Sequence, residues 1–122
     1  MAAVANSTPT GLIGIGLMGM ACAKRLRGAG LEVLGYDVDP KKSVALTAIG
    51  GEAAPSIADI AARCAQVVLA VFNTEQVEQT IDALAKARPA GKPPLIAVCV
   101  STCDPDKISA LVARTPAEKV RY

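Results

Sequence analysis

"GLIGIGLMGMACAKRL", residues 11–26, puts glycine at positions 11, 14, 16 and 19 and then turns helix-like. Glycine loses more backbone freedom on folding than any other residue, so the cluster marks a geometric demand, set either by a ligand or by a tight turn. The run "GLIGI" (11–15) is short, apolar and glycine-ended, which predicts a strand. Beyond it Met18, Cys22, Leu26 and Ala29 recur at helical spacing with Lys24, Arg25 and Arg27 between them, which predicts a helix over 18–29. Gly30 then stands where a helix end favours a left-handed residue.

The same alternation continues outward from this stretch. "LEVLGYD" (31–37) predicts a second strand, and "DPKKSVALTAIGG" (39–51) a helix with Asp39 as N-cap, Pro40 at its first position and Gly50 ending it. "SIADIAARC" (56–64) reads as a short helix opened by Ser56, with Asp59 in a weakened capping box. "QVVLAVF" (66–72) and "LIAVCV" (95–100) are apolar runs expected of strands buried on both faces. Between them "TEQVEQTIDALAKA" (74–87) carries Val77, Ile81, Leu84 and Ala85 on one helical face, followed by a loop at 88–94. "DPDKISALVAR" (104–114) repeats the Asp-Pro helix start, and "KVRY" (119–122) begins a further strand. Strands alternating with helices predict an α/β fold, a Rossmann-type doubly wound parallel sheet with helices on both faces. Its expected extent is 11–122, behind a flexible lead-in at 1–10.

Composition narrows the chemistry. Apolar residues make up 52% of the 122, enough for a core and against disorder. The net charge is +2 with both signs interspersed, and Phe72, Tyr36 and Tyr122 are the only aromatics, so no nucleic-acid surface is expected. There is no histidine, which removes His-based triads and His-containing metal sites; no metal is expected. Cys22, Cys64, Cys99 and Cys103 form no C-x-x-C pair, and the first three read as small hydrophobes in a reduced, cytoplasmic setting. The N-terminal decapeptide is unlike a signal peptide, and no apolar run is long enough to span a membrane.

In this context Gly14-Ile15-Gly16-Leu17-Met18-Gly19 is a G-x-G-x-x-G between strand and helix. The first glycine permits the turn, the second admits a pyrophosphate, and the third lets helix and strand pack closely. Asp37 ends the second strand, where a carboxylate accepts hydrogen bonds from both hydroxyls of an adenosine ribose. It also repels a 2′-phosphate, and no Arg follows before Arg63, so NAD is expected over NADP. The alternatives are a non-catalytic nucleotide-binding or regulatory module and an S-adenosylmethionine methyltransferase, whose first turn usually lacks the full three-glycine spacing.

Four segments, "GLIGIGLMGMACAKRL", "GYDVDPKK", "AQVVLAVFNTEQVEQTI" and "VSTCDP", give the chain a further character. Over about residues 11–115 it resembles the 3-hydroxyisobutyrate dehydrogenase family of β-hydroxyacid dehydrogenases. The resemblance implies an NAD-dependent oxidoreductase that exchanges a hydride with a small β-hydroxy acid, 3-hydroxyisobutyrate-like or a sugar acid. It places Ile15, Gly16, Leu17, Met18 and Gly19 against the pyrophosphate and Asp37 against the ribose. Phe72, Asn73 and Val77 fall beside the cofactor's middle, Thr102 near the nicotinamide, and Ser101 towards the substrate. Phe72-Asn73 departs from the family's usual Leu-Pro, in the manner of threonate and related sugar-acid dehydrogenases. The family's catalytic lysine and helical second domain have no counterpart motif up to Tyr122. No catalytic residue is therefore expected here, the 122 residues alone are expected to be inactive, and self-association through an uncovered apolar surface is expected.

Overall fold

Strand–helix alternation is carried through in a computed structural model that describes residues 8–121. The strands are β1 (Thr10–Ile13), β2 (Val33–Tyr36), β3 (Glu52–Ala53), β4 (Gln66–Leu69), β5 (Leu95–Cys99) and β6 (Val120–Arg121). The helices are α1 (Leu17–Gly28), α2 (Pro40–Ala48), α3 (Ile57–Arg63), α4 (Thr74–Ala87) and α5 (Pro105–Arg114). Every strand pair is parallel and the order is β3-β2-β1-β4-β5-β6. Strand order therefore reverses between β1 and β4. Ile13 is in register with Tyr36 and Leu69, and Leu69 with Cys99, so four strands end along one edge. In an open parallel sheet that edge, at that reversal, is where ligands bind.

Helix starts follow from short polar side chains. Asp39 accepts from the Lys41 N–H at 3.0 Å, Ser56 from Asp59 at 3.3 Å, Asn73 from Gln76 at 2.9 Å and Asp104 from Asp106 at 2.9 Å. Each satisfies a backbone donor that the first helical turn leaves open. α1 differs: it begins after Gly16, with no side-chain cap.

Two apolar clusters cover the two faces of the sheet. Ile60, Ile81, Leu84 and Leu111 from α3, α4 and α5 close over Val67, Leu69 and Leu95. On the opposite face Ala23 and Leu46 from α1 and α2 pack on Leu12 and Val33. This is the doubly wound arrangement expected from the sequence.

Several details differ from the sequence reading. Thr10, assigned to the lead-in, belongs to β1: it pairs with Val33, and its hydroxyl accepts from Gln66 Nε2 at 3.1 Å. Residues 1–7 of that lead-in lie outside the described residues. β4 stops at Leu69 rather than Phe72. β4 is only partly covered on its second face, where Val68 packs against the α1–α2 cluster, and β5 is not covered there. Ile96 and Val98 stay exposed there. Cys99 is exposed as well, at the strand end, and is not the buried hydrophobe expected. β3 has two residues, both exposed, too few for any periodicity to show.

Arg88, in the segment read as a loop, is 4% exposed. Its guanidinium donates to the carbonyls of Ala61 (2.8 Å) and Cys64 (2.6 Å) at the end of α3 and to that of Pro93 (2.7 Å). A planar, always-charged donor fork satisfies three buried acceptors at once, which explains a charge in the interior.

Candidate functional site

A cleft of about 910 Å³ runs along the carboxyl edge of the sheet, across the reversal between β1 and β4. Gly14, Gly16, Leu17 and Met18 line its middle; Tyr36, Asp37, Val38, Asp39 and Lys42 one end; Val71, Phe72, Val100, Ser101 and Thr102 the other.

The glycines of the turn answer different demands. Gly14 has φ +93° and sits so close to β4 that a Cβ would collide with the Ala70 carbonyl. A Cβ at Gly19 would collide with the Gly14 carbonyl, so that glycine lets α1 lie directly on the turn. These two needs are internal. Gly16 is otherwise: its backbone is extended (φ −84°, ψ −156°), and a Cβ would meet nothing within 4 Å. Nothing in the protein requires glycine there, and the open space belongs to the cleft.

Beside that space lies the start of α1. The first intrahelical bond runs from Met20 N–H to the Gly16 carbonyl at 2.8 Å. The N–H groups of Leu17, Met18 and Gly19 have no side-chain cap and no other acceptor among the described residues. With the partial positive charge of a helix start, they form a ready anion site. Among the described residues no side-chain carboxylate caps these groups, and the space beside Gly16 is open to the cleft.

Asp37 is fixed at the end of β2 by two backbone donors. Its Oδ2 accepts from Ile15 N–H at 2.8 Å and its Oδ1 from Asp39 N–H at 2.9 Å. An ionised carboxylate has about four acceptor positions, so both oxygens keep capacity for hydroxyl donors. The Ile15 contact also binds the acid directly to the glycine turn.

Other expected site residues have different tasks in the structure. Ile15 gives its N–H to Asp37 and buries its side chain with Leu12 and Leu46, which leaves neither for a phosphate. Val77 is fully buried in the core under α4, against the sheet, and does not line the cleft. Asn73 caps α4 through its side chain. Phe72 is 91% exposed at the rim, its N–H donating to Gln76 Oε1 at 2.6 Å. Ser101 Oγ accepts from Val71 N–H at 2.9 Å and so ties the ends of β4 and β5 together, while Thr102 stands exposed on the rim.

The sequence reading missed Lys42, Gln76, Gln79 and Thr80, all of which line the cleft. The last three form an i, i+3, i+4 polar set on the first turns of α4, a pattern visible in the sequence next to the apolar stripe. Lys42 is a basic group at the Asp37 end, on the first turn of α2.

Comparison with known proteins identifies the family. Residues 9–122 match the family described as the NAD binding domain of 6-phosphogluconate dehydrogenase. The chain is similar to L-threonate dehydrogenase of Cupriavidus necator, 31% identical over 104 residues, 85% of this chain and 35% of that protein. It is also similar to 3-hydroxyisobutyrate dehydrogenase of Salmonella typhimurium, 29% identical with a TM-score of 0.77, over 93% of this chain and 40% of that one. A reductive aminase of Aspergillus terreus, solved with NADPH and ethyl-5-oxohexanoate, shares the fold at 21% identity and a TM-score of 0.75, over 96% of this chain and 39% of that one. The chain thus spans about two fifths or less of the length of these relatives. An internally unexplained glycine beside an uncapped helix start, a fixed acid on the second strand and a family match along almost all its length lead to one conclusion: the chain belongs to the NAD-binding domain family of 6-phosphogluconate dehydrogenase.

Proposed function

We propose that this chain holds NAD along the carboxyl edge of its sheet, as the cofactor domain of an oxidoreductase that oxidises or reduces a small β-hydroxy acid. The observation that carries the reading is the open space at Gly16 beside the uncapped start of α1, next to Ile15, whose N–H donates to Asp37. Leu17, Met18 and Gly19 would donate their N–H groups to the pyrophosphate, and Asp37 would accept from the adenosine ribose. The remaining half of the cofactor would run over Val71, Phe72 and Thr102, because β4 and β5 end there. Bound NAD supplies the hydride acceptor; the protein's part is binding, orientation and exclusion of water. Among the described residues the β4–β5 end of the cleft is lined by Val71, Phe72, Val100, Ser101 and Thr102, without a carboxylate or lysine, so the group that takes up a hydroxyl proton would come from elsewhere in the enzyme. The 3-hydroxyisobutyrate and L-threonate dehydrogenases among its relatives favour a 3-hydroxy acid or sugar acid as substrate. A cytoplasmic setting suits four free thiols. Among the described residues no helix is long and apolar enough to cross a membrane. The uncovered strip of Ile96, Val98 and Val100 supports self-association of the chain on its own.

Calorimetric titration tests the cofactor assignment. NAD should bind more tightly than NADP, and Asp37→Ala should weaken NAD much more than NADP. Equal or reversed affinities in the unaltered chain contradict the role given to Asp37.

A further inference from the structure

Two cysteines meet where the cleft ends. Cys99 closes β5 and Cys103 precedes α5, and their sulfurs lie 3.8 Å apart. Both thiols also face the Ser101 carbonyl, Cys103 at 3.5 Å and Cys99 at 3.8 Å, so the turn between them wraps around that oxygen. Cys99 is exposed and Cys103 half-buried against the main core. The other two thiols differ: Cys64 is buried in the core under α3, and Cys22 lies on α1. Neither has a thiol contact among the described residues.

We infer that Cys99 and Cys103 form a reversible dithiol–disulfide site at the rim of the cleft, oxidised by small disulfides of the glutathione class. A disulfide needs the sulfurs about 2.05 Å apart, so closure requires about 1.8 Å of relative movement. The segment 100–102 can absorb it, since it belongs to neither β5 nor α5. Val100 is anchored to β4 through the Leu69 carbonyl and Ser101 to the segment after β4 through Val71 N–H, so the adjustment falls on Thr102, the residue on the rim of the cleft.

The chemistry has two steps. The Cys99 thiolate attacks the small disulfide, forming a mixed disulfide on Cys99 and releasing one thiolate. The Cys103 thiolate then attacks the Cys99 sulfur, closing the Cys99–Cys103 bond and releasing the second. Two protein thiols are oxidised, one small disulfide is reduced to two thiols, and the two protons lost by the cysteines are taken up by those products. The order follows from access: burial, and then the neighbouring Cys99, holds the Cys103 thiol above its ordinary range, so it acts second and at short range. Only three residues separate the cysteines, so little unfolded-chain entropy is removed and the bond stays open to reduction.

The test uses the full 122-residue chain, incubated with glutathione disulfide, blocked with N-ethylmaleimide and digested with trypsin. Lys92 and Arg88 precede proline, so one peptide, residues 87–107, carries both cysteines. The expected product is this peptide unalkylated and lighter by two hydrogen atoms, becoming doubly alkylated when dithiothreitol reduction is followed by fresh N-ethylmaleimide. Cys103→Ser should instead accumulate a stable glutathione adduct on Cys99. A wild-type peptide that keeps glutathione on Cys99 with Cys103 alkylated overturns the inference. So does one that stays doubly alkylated while Cys22 is modified.

Discussion

Replacing Gly16 separates what the fold needs from what a ligand needs. Its extended backbone is open to any L-residue, and the nearest protein atoms lie beyond 4 Å of a Cβ. Loss of glycine at an N-cap position costs up to about 1 kcal/mol. The smaller entropy of the unfolded chain returns about 0.4–1 kcal/mol, so Gly16→Ala should leave stability within about 1 kcal/mol of the original. Gly16→Val places two further methyl groups in the open cleft, where the pyrophosphate would pass the start of α1. NAD affinity should then fall by at least about tenfold, or about 1.4 kcal/mol. Gly19→Ala is the counter-case. Its Cβ would strike the Gly14 carbonyl, an overpacking fault that costs about 1–3 kcal/mol of stability. Denaturant unfolding followed by circular dichroism, with calorimetric NAD titration of each variant, reads both quantities. If Gly16→Val binds NAD as tightly as the unaltered chain, or unfolds as readily as Gly19→Ala, the space at Gly16 is not a phosphate site.

Three further outcomes are expected. Arg88→Met leaves the Ala61, Cys64 and Pro93 carbonyls without their donor and should cost about 3 kcal/mol in denaturant unfolding, with Arg88→Lys restoring only part. Burial pushes the Cys64 thiol up from 9.0 to about 11, so the folded state holds that proton more tightly than the unfolded one. Its contribution is complete below the unfolded value and is lost as pH rises through about 11; Cys64→Ala should flatten the alkaline limb of the stability profile. Lys42→Glu, beside Asp37 in the cleft, should leave NAD binding nearly intact and remove most of whatever NADP binding the chain has, by calorimetry.

The sequence made the fold legible wherever local signals were strong. Asp39, Ser56 and Asp104 start the helices they precede, because a short side-chain acceptor must lie within reach of the first turn's N–H groups, whereas the same role of Asn73 went unread. The glycine turn and Asp37 were legible because their spacing is fixed by one strand–helix–strand unit. What could not be read depends on tertiary neighbours. The apolar faces of "QVVLAVF" and "LIAVCV" look alike in sequence, and only the positions of α1 and α2 leave Ile96 and Val98 bare. Arg88 reads as a loop cation until the end of α3 supplies its acceptors. Val77 and Gln76 are adjacent in sequence, yet one enters the core and the other lines the cleft, a difference set by the rotation of α4.

The most direct measurement of the central claim is an amide ¹H–¹⁵N correlation titration of the 122-residue chain with NAD. Saturable shifts should concentrate at Gly16, Leu17, Met18, Asp37, Val38 and Thr102, with Arg25, Ile96 and Val98 on the uncovered face little changed. Shifts confined to that apolar face, or none that saturate, would contradict it.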